Sequence, residues 1–224
     1  MIKAIFYKEF IKCRAVLSVL LIIAVALVAY MFIGNANLMR TSGAVSVWAQ
    51  IADGGFSLLS SMMLCFMPIA AIAIAVMQYS LEMANKRFKL TLHLPVPEVK
   101  IVATMQSFGI AMLVALYVVL LLPSYIGLSV YYPVQLMCAM FVSAVPYMLA
   151  GFAAYFFTMW IVVEPTWKRR AAYLLIAAGA MSPFAIETML GGAVYAIPAQ
   201  ILIVAAAIVS SFYAATRFKN GAQD

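Results

Sequence analysis

Between Lys100 and Glu164 the chain runs for 63 residues without an Asp, Glu, Lys or Arg. A soluble domain draws roughly a quarter of its residues from these four types to cover its surface. A run this long without them has no place in water. It is too long for one membrane-crossing helix, which takes about 20 apolar residues, and long enough for two. The rest of the chain agrees: of 224 residues, 67% are hydrophobic and 9% charged. A free-standing soluble enzyme, a disordered chain and a disulfide scaffold are all excluded. The fold class expected is an all-α integral membrane protein.

Apolar runs place six spans, at about 15–34, 56–79, 101–122, 132–163, 171–190 and 193–216. Pro123, Gly127 and Pro133 punctuate the uncharged stretch between the third and fourth. The fourth is long enough to be tilted or broken near Pro146 and Gly151. The fifth is the least regular, with a re-entrant half-span as its alternative. The longest loop opposite the termini is expected at 35–55. An even number of spans leaves both termini on one side, and the basic residues say which. Of the 14 Lys and Arg, 13 fall at the N-terminus, in the second and fourth loops or at the C-terminus; Arg40 is the exception. Because basic loops stay on the cytoplasmic side, both termini are expected to be cytoplasmic. Trp48 on the outer side, and Trp160 and Trp167 on the inner, suit the aromatic belts. The first apolar run exceeds a signal-peptide h-region of about 7–15 residues, so no cleavable leader is expected. Cys13, Cys65 and Cys138 have no paired spacing, and neither a disulfide nor a zinc site is expected.

Two segments interrupt the membrane pattern. Residues 1–14 read MIKAIFYKEFIKCR, with Ile2, Ile5, Phe6, Phe10 and Cys13 at helical steps and Lys3, Lys8, Lys12 and Arg14 mostly off that face. This is the pattern of an amphipathic interfacial helix leading into a six-span domain over 15–224. Glu9 falls among the apolar positions and wants a cationic partner or a route to water. The second segment, 82–97, reads EMANKRFKLTLHLPVP: a polar start, then Phe88, Leu90, Leu92 and Leu94 alternating with Lys89, Thr91 and His93, then Pro95 and Pro97. An apolar row on a cytoplasmic loop needs a cover, whether from the protein itself, from lipid headgroups or from a partner.

In this order (a Lys-Glu-Phe amphipathic helix, two spans, a Glu-x12-Pro loop, four more spans) the chain resembles the permease subunits of type-2 ABC transporters. Their loop after the second span typically reads E-R-E-K-G-T-L-E-L-L-L-S-L-P, and here it reads E-M-A-N-K-R-F-K-L-T-L-H-L-P. Glu82, Leu90, Leu92, Leu94 and Pro95 match, and Phe88 stands for a leucine. Lys86-Arg87 replaces Gly-Thr, a departure that bears on the coupling contacts. The topology covers the whole chain and the motif about 30 residues. The resemblance implies that 82–95 forms a cytoplasmic coupling helix seated in a cleft of a separate ATPase subunit. Phe88 and the leucines would then be its apolar anchors, and Lys86, Arg87 and Lys89 would meet acidic groups at the rim. It also implies that the N-terminal helix, with Phe6, Glu9 and Phe10, lies alongside. A second copy or paralogue would complete the pathway, and ATP and Mg would bind the partner ATPase. Function on this basis is that of an exporter permease in the inner, cytoplasmic membrane, with lipid around it and no nucleic-acid partner. The alternatives are a haem- or cofactor-export permease of the cytochrome c maturation type and a non-transporting scaffold. A surface hairpin with its basic residues at lipid phosphates is the bland reading of the loop.

Absences in the sequence narrow the chemistry. No G-x-x-x-x-G-K-[ST] loop occurs, so ATP hydrolysis falls to another chain and this one is not expected to be an enzyme. The one histidine, His93, lies on the loop, and no span carries paired carboxylates. Intramembrane hydrolysis and ion-coupled transport both need ionisable groups at depth, and Glu187, toward the outer end of the fifth span, is the nearest. No catalytic residue, metal ligand or bound cofactor is expected in this chain. Met62, Met63, Cys65 and Met67 are soft ligands by type, but methionine also fills packed helices, and Met62 and Met63 point to different faces. The polar residues within spans are Gln78, Gln106, Ser107, Ser124, Gln135, Ser143, Tyr147, Thr158, Ser182 and Gln200. They are candidates for a pathway or for interhelical bonds.

Overall fold

In the computed structural model, residues 2–52, 59, 61–84, 97–184 and 192–219 are described. The elements among them are helical: α1 (Ile2–Ser42), α2 (Ala44–Ala52), α3 (Ser61–Met83), α4 (Glu98–Leu128), α5 (Val134–Val163), α6 (Trp167–Met181) and α7 (Ile197–Lys219). Short 3-10 turns occupy Ser182–Phe184 and Gly192–Tyr195. Five helices, α1, α3, α4, α5 and α7, are long and apolar enough to cross a membrane. They fall on five of the six expected spans. The remaining one, expected at 171–190, starts as α6, which has 15 residues. At 1.5 Å per residue that is about 22 Å, short of the roughly 30 Å of hydrocarbon. The rest of that span, Glu187 included, lies outside the described residues.

Several boundaries depart from the sequence expectation for physical reasons. No turn separates residues 1–14 from the first span: α1 runs unbroken through 41 residues. The expected loop at 35–55 is largely helical, since α1 continues to Ser42 and α2 follows at once. The break between them is Gly43, whose φ of +77° is open to glycine and strained for side chains with a Cβ. Val47 and Ile51 anchor α2 in the core. Pro123 and Gly127 do not end α4, which continues to Leu128. Proline removes one bond of the backbone ladder there, which a membrane helix tolerates, and next to it the Ser124 hydroxyl donates to the Leu120 carbonyl at 2.6 Å. Pro68 and Pro146 likewise sit inside α3 and α5.

α5 is the centre of the bundle and packs on α3, α6 and α7, while α1 packs on α4 and α3. Close approach of backbones is secured where a glycine faces a tyrosine. Tyr155 of α5 lies over Gly109 of α4, and Tyr117 of α4 over Gly151 of α5. A Cβ on Gly109 would stand 2.1 Å from the Tyr155 hydroxyl, and one on Gly151 1.8 Å from that of Tyr117. These glycines are the recesses into which buried rings fit.

Candidate functional site at the charged end of the bundle

Ion pairs between helices join the start of α1 to the end of α3, the start of α4 to the end of α7, and the α5–α6 junction to α7. Helices that alternate in direction bring these six termini to one end. That is the end to which the sequence assigns nearly all its basic residues.

The first group carries the expected coupling residues. Glu9 and Glu82 are both buried, with 0% and 2% of their surface exposed. The Lys12 ammonium stands between them, 2.6 Å from the Glu9 carboxylate and 2.7 Å from that of Glu82. Lys8 reaches Glu82 at 2.8 Å and is itself half exposed. Among the described residues two carboxylates meet two ammonium groups, and this pairing is what allows buried charge to persist here. Helical spacing explains it: Lys8, Glu9 and Lys12 share a face of α1 across one turn, and Glu82 closes α3 opposite. A recess of about 400 Å³ opens beside the cluster, bordered by Tyr7, Ile11 and Leu81.

Of the other expected residues of α1, Phe6 packs edge-on against Phe108 of α4, with ring centres 5.6 Å apart. Phe10 faces outward. The helix therefore presents its charged face to α3 and an aromatic to α4. Lys86, Arg87, Phe88, Leu90, Leu92, Leu94 and Pro95, with His93, lie outside the described residues; Glu82 is the described root of that loop.

The second group centres on Glu164, buried between α5 and α6. Its carboxylate accepts from the Thr166 hydroxyl at 2.7 Å and stands 3.5 Å from Arg217 of α7. Arg217 also reaches the Tyr173 hydroxyl at 3.4 Å, and Tyr173 stacks on Trp160 at 4.0 Å and 18°. Trp160 thus packs against Tyr173, whereas Trp167 is exposed. The third group is the ion pair of Lys219 with Glu98.

Below the first cluster, away from the charged end, lies a polar lattice. The Tyr155 hydroxyl donates to Gln78 Oε1 at 2.7 Å and lies 3.1 Å from the Tyr79 hydroxyl. Gln78 Nε2 donates to the Met105 carbonyl at 2.8 Å. Gln106 Nε2 reaches Ser211 Oγ at 2.8 Å and Met159 Sδ at 3.1 Å. These bonds tie α3, α4, α5 and α7 together. Gln78, Gln106 and Ser124 thus serve interhelical or local bonds, and Ser107, Ser143, Thr158 and Ser182 bond back to their own helices. Gln200 reaches the Pro183 carbonyl at 3.5 Å, and Gln135 is exposed. The soft-ligand group divides: Met63 and Met67 are buried, Met62 and Cys65 face outward. Those four sulfurs do not converge.

Sequence reasoning did not single out Tyr79, Tyr155, Glu164 or Arg217. A tyrosine inside an apolar run looks like any ring, and only the facing helix reveals that its hydroxyl is bonded. Glu164 could have been found, because an acid that ends a 63-residue uncharged run needs a cation nearby.

No family model matches this chain, and neither a curated protein nor a solved structure is significantly similar to it.

Proposed function

We infer that the chain is the membrane-spanning permease subunit of a type-2 ABC transporter, working as an exporter and driven by a separate ATPase chain that carries ATP and Mg. One observation carries this reading. Glu82, the first residue of the pattern shared with that family's coupling loop, is held by Lys8 and Lys12 of the N-terminal helix. A push on the loop is thereby passed to α1 and α3 together rather than to one hinge. The burial of Glu82 between two helices supports a fixed mechanical joint. The apolar row at 88–94 supplies anchors for a cleft on the ATPase, and a second copy or a paralogue completes the pathway.

The test is purification from native membranes in mild detergent, with mass spectrometry of what accompanies the chain. A stoichiometric soluble subunit carrying a phosphate-binding loop is expected. In that complex Phe88→Asp and Glu82→Lys should each abolish most of the permease-dependent stimulation of ATP hydrolysis. Purification without an ATPase, under conditions that keep other transporter complexes whole, overturns the reading and leaves a scaffold. Unchanged stimulation in both variants removes the coupling role from this loop.

A further inference from the structure

Helix α6 opens with Trp167, Lys168, Arg169 and Arg170, where the chain turns back into the bundle. The Arg170 side chain folds onto the end of α5. Its Nε donates to the Glu164 carbonyl at 2.5 Å and its Nη2 to the Val162 carbonyl at 3.2 Å. The Glu164 carboxylate is turned elsewhere, to Thr166 and Arg217. Among the described residues no carboxylate pairs with Arg170. No described carboxylate therefore offsets its charge, and of its five N–H donors some remain uncommitted.

This cation borders a cleft of about 750 Å³ between the ends of α3 and α5 and the start of α6. Pockets that hold small ligands run from roughly 300 to 1,000 Å³. The walls are otherwise largely aliphatic and aromatic: Met83, Ile161, Trp167, Leu174 and Leu175. Trp167, Leu174 and Leu175 are 79%, 56% and 71% exposed, so the cleft is open along the α6 side. Leu174 follows Arg170 by four residues, about 6 Å further along the axis and away from the charged end. One cation at the charged end and a hydrocarbon wall running inward from it match one anionic head with an apolar tail.

We propose that the cleft between α3, α5 and α6 binds an anionic phospholipid, its phosphate at Arg170 and an acyl chain along Leu174 and Leu175. A free phosphate would leave the aliphatic wall uncovered. A choline lipid would bring its own cation beside the guanidinium. An anionic headgroup accepts the remaining Arg170 donors in the geometry at which arginine excels, and Trp167 sits where an indole meets the headgroup layer.

Native mass spectrometry of the full chain in detergent tests this, with phosphatidylglycerol and phosphatidylcholine of identical acyl chains titrated separately. The first phosphatidylglycerol should be retained at a concentration about fivefold lower than phosphatidylcholine, the factor one basic side chain at a membrane surface supplies. Arg170→Gln should erase the preference. Because Arg170 also binds the Val162 and Glu164 carbonyls, Ala171→Phe serves as a second variant: it narrows the cleft and leaves the guanidinium in place. It should weaken retention of the first phosphatidylglycerol with helical content and elution volume unchanged. Equal retention of the two lipids overturns the proposal, as does a preference that survives both variants. A lipid-free dimer that Ala171→Phe dissociates also overturns it, since a second copy would then cover the cleft.

Discussion

The Gly109–Tyr155 contact supports a quantitative prediction. Gly109→Ala adds one methyl group to α4. Built on the present backbone, that carbon lies 2.1 Å from the Tyr155 hydroxyl, 2.3 Å from Cζ and 2.6 Å from Cε2. The ring is fully buried, with Phe156 edge-on beside it at 5.3 Å. Displacing it breaks the bond to Gln78 at 2.7 Å and the contact with the Tyr79 hydroxyl at 3.1 Å. Overpacking of this kind costs about 1–3 kcal/mol. Two interhelical bonds at about 0.6 kcal/mol each bring the total to about 2–4 kcal/mol. The assay is an SDS titration in mixed micelles followed by helical circular dichroism. The sharper measurement is the double-mutant cycle. Tyr155→Ala costs about 3–5 kcal/mol by itself through the cavity it leaves. That cavity is where the alanine methyl would go, so adding Gly109→Ala in the Tyr155→Ala background should cost close to nothing. Strong non-additivity is the signature of direct contact. A Gly109→Ala penalty below about 0.5 kcal/mol, or an equal penalty in both backgrounds, would refute the reasoning.

Other expectations follow from the charged end and the thiols. Lys12→Ala leaves Glu9 and Glu82 facing each other in a buried site and should cost about 3–5 kcal/mol in the same titration. Lys8→Ala, whose side chain is 44% exposed, should cost less than about 1 kcal/mol; equal penalties would show that Lys12 does not bridge the two acids. Cys65 and Cys138 face outward from α3 and α5, whereas Cys13 is 1% exposed. A lipophilic maleimide should therefore label Cys65 and Cys138 in native membranes and reach Cys13 only after unfolding. Prompt labelling of Cys13 would contradict the packing of α1 on its neighbours.

Much of the bundle was legible because charge is so scarce. The uncharged stretch after Lys100 holds α4 and α5, and its ends, Lys100 and Glu164, mark the charged end of the molecule. Glu9 was legible as a misfit: an acid among apolar positions has to find a cation, and Lys12 one turn on is that cation. Helix ends were less legible. Pro123 reads as a stop, but a membrane helix tolerates the one backbone bond that proline cannot make, and α4 runs on to Leu128. Gly43 was hidden among Ser, Thr and Asn that also read as loop, although it alone carries the turn between α1 and α2. The lattice around Tyr155 was not legible, because a hydrogen bond between residues 77 positions apart leaves no local pattern.

The unbroken α1 has a mechanical consequence. Forty-one residues of α-helix make a rod about 62 Å long, twice the thickness of the hydrocarbon it crosses. Near one end it is clamped through Lys8 and Lys12 to Glu82. Near the other, Asn35 accepts from the Tyr132 hydroxyl at 3.4 Å, where the chain enters α5. A helix of that length ties the two attachments together, so neither partner shifts without the other end of α1 responding. Under the proposed coupling, a displacement of Glu82 would be carried by α1 itself to Asn35 and Tyr132, taking with it the α1 face of Leu20, Ala24, Val28 and Met31 that packs in the core.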